Sequence, residues 1–339
     1  MLLPVFATAA ATLVASVSAF TPASTLGTDL LYAKGLVNLG QYELSNPPSS
    51  GCSIQTGYVR KEWYDACSTN EKYHHTYMHH RSTLSATSKK AYINAVLCLQ
   101  SKPSRTSSWA PGAKSRYDDF VAVHISQTLT IHGTGNFLSW HRYFVYTYEQ
   151  ALRQECGYTG YQPYLNWGRY AKDLANAPLW DNTDTSISGN GVFHNYSGAY
   201  IPSTAAPLIH LPPGNGGGCV PSGPFKNLTV NLGPVTPVFE DVTPNPQPDG
   251  LGYNPRCLRR DIGTYAASIA STDQNSTDLI ANNNDVLSFQ NTMQGDFGSG
   301  LLGVHTAGHF WVGGDPGGDI FASPGVSRLH VSLPLYSSY

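Results

Sequence analysis

Charge and long apolar runs are both scarce in this chain. Charged residues make up only 12% of the 339 positions, about half the share of an ordinary soluble domain. The 20 basic and 22 acidic residues nearly cancel, and no basic block gives the electrostatic footprint of a nucleic-acid-binding protein. Beyond the amino terminus, no segment reaches the ~20 apolar residues of a membrane-spanning helix. The sequence therefore predicts neither a nucleic acid nor a membrane as partner.

Aromatic residues, glycine, proline and histidine are abundant instead. The 21 Tyr, 12 Phe and 6 Trp need burial, which argues against disorder. The 33 Gly and 23 Pro indicate many loops, above all over residues 176–260. The length suffices for one large core, and no internal repeat or linker divides the chain. The 12 His are numerous enough to raise the question of a bound metal.

The amino terminus predicts a secretory signal peptide over residues 1–19. The run is apolar and made of small residues, and Val17 and Ala19 occupy the −3 and −1 positions of a cleavage site. Three glycosylation sequons follow in stretches rich in Gly, Pro or Ser, which are typical of surface loops. Their acceptors are Asn195, Asn227 and Asn275. We therefore expect a secreted, extracellular glycoprotein, in which disulfides are permitted.

The periodicity of apolar residues predicts a mainly α domain with long ordered loops. One helix is expected to begin Ser139-Trp-His, with Ser139 as its N-cap, and to end at Gly157. Helical patterns also occupy the first part of 20–60, then 86–101, 117–132 and about 261–310.

Three histidines flank a predicted reversal between two helices. His124, His132 and His141 are eight and nine residues apart. Gly133 and Gly135 allow a tight turn between the helices, so the three imidazoles can face one centre. The sequence therefore predicts a metal site, although a lone histidine on an apolar helix is more often a hydrogen-bonded core residue.

A second pair, His305 and His309, has the i,i+4 spacing that places both rings on one helix face. Such pairs also arise by chance. Together the two groups offer five imidazoles without a neighbouring carboxylate or thiol ligand. That donor set favours copper or zinc over calcium or magnesium.

Long ordered motifs surround these histidines. The run IHGTGNFLSWHRYF over residues 131–144 resembles the first copper motif of the tyrosinase and catechol oxidase family. The segments PGAKSRYDDFVAVH, GLGYNPRCLRRDI and GHFWVGGDPGGDIFASPG extend the resemblance over residues 30–325. The chain resembles the short, secreted fungal branch of type-3 copper oxidases.

The resemblance implies a four-helix bundle that houses a binuclear copper site. It assigns His124, His132 and His141 to the first copper, and His305 and His309 to two of the three positions on the second. It also implies dioxygen as co-substrate and a small phenol, an o-diphenol or o-aminophenol, that is oxidised to a quinone. Many tyrosinases carry Asn at the position of Thr306. The threonine in this chain favours diphenol or aminophenol oxidation over monophenol hydroxylation.

Residues 64–81 interrupt a stretch that is continuous in the family. The segment holds two His-His pairs, His74, His75, His79 and His80, whose spacing would pass for a metal site. Without this segment, the flanking residues join into the continuous sequence pattern of the family. The codons at its two ends can also encode splice signals. We interpret it as a translated intron; a genuine isoform-specific loop is the alternative.

The tail over residues 326–339 also departs from the family. It stands where the family carries the third histidine of the second copper, and His330 lies three residues from the expected position without the surrounding motif. We expect the second copper site to be incomplete in this chain. The predicted organisation is a signal peptide, a copper domain over 20–325, and this off-family tail, which a second translated intron would explain.

The cysteines leave their connectivity open, because spacing alone cannot determine it. Cys67 falls in the suspected insertion, and the candidate pairs among the others are Cys52 with Cys98 and Cys219 with Cys257. The leading prediction is a type-3 copper oxidoreductase. The alternatives are an oxygen-binding protein like the molluscan haemocyanin domains and an inactive tyrosinase-like secreted glycoprotein. The sequence does not indicate an oligomeric state.

Overall fold

The computed structural model describes residues 20, 22–46, 84–201 and 209–325. The predicted signal peptide, the segment 64–81 and the tail 326–339 lie outside the described residues. The described chain is mainly helical, which confirms the predicted fold class. Its longer helices are α1 (Leu26–Ser45), α2 (Ala86–Ser101), α3 (Arg116–Ile131) and α4 (Phe137–Cys156). Shorter ones are α5 (Trp167–Tyr170), α6 (Thr264–Ala270), α7 (Asp273–Ala281), α8 (Val286–Gln294), α9 (Val304–Val312) and α10 (Gly314–Gly317).

Strands are short and lie in the loop-rich half of the chain. β1 (Ala199–Ile201) pairs antiparallel with β2 (Ile209–Leu211), and β3 (Thr229–Val230) pairs antiparallel with β4 (Arg256–Cys257). Three 3₁₀ turns complete the described elements, at Pro178–Trp180, Phe297–Ser299 and Ser323–Gly325. None of the helices in the described ranges is both long and apolar enough to cross a bilayer.

Helix α3 begins at a reciprocal cap. The Ser115 hydroxyl accepts a hydrogen bond from the Asp118 backbone N–H, and the Asp118 carboxylate accepts one from the Ser115 N–H. Asp118 and Asp119 in the first turn also complement the positive end of the helix dipole. The helix ends at Ile131, so that His132 caps its carboxyl end.

Helix α4 begins two residues before the predicted start. Ser139 lies inside its first turn, where its hydroxyl donates to the Asn136 carbonyl, and Asn136 is the N-cap residue. Phe137 is fully buried, so the first turn of the helix already packs in the core at residue 137. The predicted end is confirmed, since Gly157 takes a left-handed conformation with φ 66°.

Helices α2, α3 and α4 pack against one another around a single large core. Leu99 of α2, Phe120 of α3 and Leu152 of α4 are among its buried members. Helix α9 packs against α6 and α8. Its residue His305 faces the junction of α3 and α4, where its ring lies near those of His132 and His141.

One expected disulfide differs in the structure. Cys98 of α2 is bonded to Cys156, the last residue of α4, with 5.9 Å between their Cα atoms. The expected pairing of Cys98 with Cys52 is therefore wrong, because the packing of α2 on α4 brings Cys156 to Cys98. Cys52 itself lies outside the described residues. The second bond joins Cys219 to Cys257, the pair suggested by the sequence, and ties the loop region together.

The glycosylation sequons occupy two kinds of environment. Asn195 and Asn227 are exposed in loops. Asn275 was expected in a loop as well, but it lies in the first turn of α7. Its side-chain oxygen accepts a hydrogen bond of 3.0 Å from the Thr272 N–H and completes a capping box. A polar residue three positions after a threonine is as typical of a helix start as of a loop.

Candidate metal centre

Three histidines meet where α3 turns back into α4. His124 lies on α3, His132 caps it, and His141 lies on α4. Gly133, with φ 65°, takes the left-handed conformation that the reversal requires. One nitrogen from each ring lies within 4.8 Å of the others. The structure therefore brings together the first three predicted ligands.

A backbone carbonyl fixes the orientation of each of these rings. The Nδ1 atom of His132 lies 3.0 Å from the Thr128 carbonyl oxygen, and that of His141 lies 2.8 Å from the Phe137 carbonyl oxygen. The Nδ1 atom of His124 lies 2.7 Å from the carbonyl oxygen of Phe321. Because a carbonyl can only accept, each Nδ1 carries the proton and each Nε2 presents a lone pair.

The lone pairs of this cluster suit a metal ion. The Nε2 atoms of His132 and His141 are buried and have no hydrogen-bond partner among the described residues. A buried acceptor that lacks a partner costs free energy, and a metal ion at the centre would satisfy it. Neutral nitrogen donors of this kind suit copper or zinc. The residues present therefore fit the metal that their pattern predicts.

Burial keeps these imidazoles neutral. Burial, together with the neighbouring His132, lowers the pKa of His141 from the ordinary 6.5 to about 3. Burial also lowers the pKa of His132, and that of His124 falls well below its usual range because His141 and His132 add to the effect. A neutral imidazole is the form that binds a metal, so the site is prepared for a ligand at neutral pH.

His305 and His309 form a second pair on α9. Their Nε2 atoms are 3.3 Å apart. Two nitrogens that each lie about 2.0–2.1 Å from one ion at a tetrahedral angle are themselves about 3.3–3.4 Å apart. The pair therefore has the spacing of two ligands on one ion. Burial lowers the pKa of His305 well below its usual range.

The two groups of histidines are neighbours. The ring centroids of His132 and His305 are 5.8 Å apart. Phe137, fully buried, lies between the groups, 4.6 Å from the ring of His141 and 4.8 Å from that of His305. All five predicted copper ligands thus share one region, with His124 and His141 almost completely buried and the other three partly exposed.

Thr306 faces the end of the preceding helix. It is buried, and its hydroxyl donates a hydrogen bond of 2.6 Å to the backbone carbonyl of Gln294 at the carboxyl end of α8. The hydroxyl thereby links α9 to α8. The described hydrogen bond of Thr306 is therefore to α8, the helix that packs against the one carrying His305 and His309.

Sequence reasoning missed the partner of His124. A backbone carbonyl can belong to any residue, so no residue type identifies Phe321 in advance. The same holds for Phe137, whose position between the histidines is clear only once α4 and α9 are in place. His330 and the four histidines of 64–81 lie outside the described residues, so their predicted lack of a role stays a prediction.

Fold and site together define a helical protein with a buried multi-histidine centre that is suited to a metal ion. Residues 114–325 match the family described as the common central domain of tyrosinase. The chain belongs to the tyrosinase family, whose members are dicopper proteins that use dioxygen and phenolic substrates. It is accordingly a tyrosinase-family oxidoreductase.

Curated fungal relatives agree with this assignment. The chain is 40% identical over 290 residues to tyrosinase-like protein orsC of Emericella nidulans, covering 82% of this chain and 72% of that protein. It is 40% identical over 253 residues to tyrosinase P of Aspergillus terreus, covering 73% and 69%. It is 35% identical over 287 residues to N-acetyl-6-hydroxytryptophan oxidase ivoB of Emericella nidulans, covering 80% and 71%.

A solved structure supports the same fold. A polyphenol oxidase variant from Thermothelomyces thermophila superposes with a TM-score of 0.77 at 42% sequence identity. The match covers 91% of this chain and 76% of that one.

Proposed function

We propose that this protein is a secreted type-3 copper oxidoreductase that uses dioxygen to oxidise o-diphenols or o-aminophenols to quinones. The observation that carries the proposal is the convergence of three neutral imidazoles that face two more across Phe137. Family membership supplies the reaction class. The finer choice of substrate is part of the proposal.

The five histidines would form two copper sites. His124, His132 and His141 would hold the first copper, and His305 and His309 would supply two ligands to the second. Bound copper supplies the electron transfer to dioxygen. The protein keeps the imidazoles neutral by burial, and the carbonyl partners fix the three rings of the first site.

The exposed side of the cluster is where we place the phenol. His132, His305 and His309 are partly exposed, whereas His124 and His141 are almost fully buried. Substrate would therefore approach from the side of the partly exposed rings, those of His132, His305 and His309. The buried rings and Phe137 would exclude water from the opposite side.

We further propose that the second copper site is incomplete in the chain as written. The described residues supply two histidines to it, and residues 326–339 lack the family's motif for the third. Such a chain would hold the first copper tightly and the second weakly, with little oxidase activity. If the insertion 64–81 and the tail are translated introns, the spliced form would carry the missing histidine and be active.

The test combines metal analysis with oxygen uptake. The two proteins compared are the 339-residue chain and the product of the spliced message, which lacks residues 64–81 and carries the downstream coding sequence in place of 326–339. Both are loaded with copper, dialysed and assayed on catechol, o-aminophenol and a hydroxyindole. The hydroxyindole is included because one relative is named as an oxidase of N-acetyl-6-hydroxytryptophan. We expect turnover of catechol or o-aminophenol by the spliced form only. Equal activity of the 339-residue chain would contradict the incomplete second site.

The same assay separates the alternatives. An oxygen-binding protein would bind dioxygen reversibly without turnover, and an inactive secreted glycoprotein would do neither in either form. Secretion is tested separately by amino-terminal sequencing of protein from the culture medium. We expect a mature chain that begins at Phe20, with glycans on the exposed Asn195 and Asn227. A secreted protein that still carries residues 1–19 would contradict the signal peptide.

A further inference from the structure

Two of the first-site histidines are oriented by carbonyls of their own helices, but the short contact of His124 comes from elsewhere in the chain. On its own helix, the Thr128 hydroxyl lies 3.4 Å from its Nδ1 atom, compared with 2.7 Å for the Phe321 carbonyl oxygen. The Nδ1 atoms of His132 and His141 bond to carbonyls four residues earlier in the chain. His124 bonds to the carbonyl of Phe321, which is 197 residues away. Its ring orientation therefore depends on the residues that hold this carbonyl in place.

Phe321 belongs to a short segment, residues 319–325, that we call the strap. Asp319 anchors its beginning and is almost completely buried, with 1% of its surface exposed. One carboxylate oxygen accepts hydrogen bonds from the Thr236 hydroxyl at 2.8 Å and from the Phe321 N–H at 3.1 Å. The other accepts from the Val235 N–H at 2.7 Å.

Tyr117 anchors the other end of the strap. Its hydroxyl donates a hydrogen bond of 2.9 Å to the Pro324 carbonyl, and this contact is buried. Tyr117 lies on α3, seven residues before His124, so the two side chains share one face of the helix. The strap is thus held at both ends, and the carbonyl that orients His124 lies between the anchors.

We infer that Asp319 is a positioning residue for the first metal site, which acts through Phe321 on the ring of His124, with Tyr117 as a second anchor. The inference rests on the proposed metal-binding role of His124. Among the described residues, the hydrogen bonds of the Asp319 carboxylate go to Val235, Thr236 and Phe321 and not to a histidine. Its carboxylate fixes the turn that presents the Phe321 carbonyl, and this carbonyl fixes the tautomer and tilt of the imidazole. Helix α9 carries the second histidine pair. The strap that follows it in the chain thereby orients a proposed ligand of the first metal site.

The test measures Zn²⁺ affinity in the full chain that carries His305→Ala and His309→Ala, so that only the first site is read. Competition with a chromophoric chelator gives the dissociation constant. We expect Asp319→Asn to weaken Zn²⁺ binding by about 10-fold or more, within the roughly 10–100-fold range for groups that orient metal-ligating histidines. Tyr117→Phe should weaken it in the same direction.

Matched controls separate orientation from general destabilisation. Asp261 is also a buried carboxylate, which accepts hydrogen bonds from the Gly214 and Gly216 N–H groups and from a tyrosine hydroxyl. Asp261→Asn should lower the melting temperature and leave Zn²⁺ affinity unchanged. Tyr92→Phe, which removes another buried tyrosine hydroxyl, is the matching control for Tyr117→Phe.

A double-mutant cycle gives the decisive readout. If Asp319 acts through His124, Asp319→Asn causes no further loss of affinity once His124 is replaced by Ala. An equal loss in the presence and absence of His124 would overturn the inference, as would unchanged affinity in both Asp319→Asn and Tyr117→Phe. Failure of the His305→Ala/His309→Ala chain to bind Zn²⁺ at all would contradict the proposed metal centre itself. If Asp319→Asn does not fold, the Tyr117→Phe arm decides.

Discussion

Acidification should destabilise the metal-free protein through the buried histidines. Burial lowers the pKa of His141 from 6.5 to about 3. Between these two values the unfolded chain binds a proton at this imidazole and the folded chain does not. Because the unfolded state then binds more protons, the free energy of unfolding falls as the pH falls.

The magnitude follows from the size of the shift. Each pH unit over which the proton uptake differs costs about 1.4 kcal/mol. From pH 7.5 to pH 5.0 the difference acts over about 1.5 units, because His141 in the unfolded chain titrates near 6.5. The expected loss from this one imidazole is about 2 kcal/mol. His124 and His305, whose pKa values are also lowered by burial, act in the same direction.

Urea denaturation of chelator-treated protein at the two pH values measures this effect. The matched variant is His141→Gln, which keeps a polar side chain but does not titrate. Other titrating groups contribute equally to both proteins, so the wild type should lose about 2 kcal/mol more than the variant. Equal losses in the two proteins would show that His141 is not buried in the neutral form.

Three further predictions concern the scaffold around the histidines. Gly308→Ala should destabilise the fold by about 1–3 kcal/mol and weaken metal binding at the proposed second site, because a Cβ there would lie 2.6 Å from a ring carbon of Trp167. Thermal melting and metal titration measure both effects, and unchanged values would mean that α9 shifts freely. Replacing Cys98 and Cys156 by Ala should lower the free energy of unfolding by about 4 kcal/mol, because the bond closes a loop of 58 residues in the unfolded chain. A denaturation midpoint equal to that of the wild type would count against the pairing. Thr306→Val should cost about 1 kcal/mol through the lost bond to α8 and Thr306→Ser much less, as measured by denaturation; equal stability of the two variants would argue against that bond.

Much of the site could be predicted because its determinants are local. The pair His305 and His309 lies on one helix face by spacing alone, and the glycines after His132 permit the turn that brings His124 and His141 together. Helix ends marked by glycine, such as that of α4 at Gly157, also followed from residue type. Short-range geometry determines each of these features.

The features that the sequence did not predict depend on contacts between distant residues. The partner of Cys98 is decided by how α2 packs on α4. The carbonyl that orients His124 belongs to the backbone of Phe321, and a backbone group has no sequence signature. The start of α4 moved because burial of Phe137 outweighed the capping preference of Ser139. Tertiary packing, which periodicity does not contain, settled all three.

Copper analysis of the purified 339-residue chain and its His141→Ala variant is the direct test of the proposed metal centre. Both proteins are loaded with copper, dialysed against a mild chelator, and analysed for metal per chain. We expect the wild type to retain one tightly held copper and the variant to lose it, because His141 would be a buried ligand of the first site. A wild type that retains no copper, or a variant that retains as much as the wild type, would contradict the proposed metal centre.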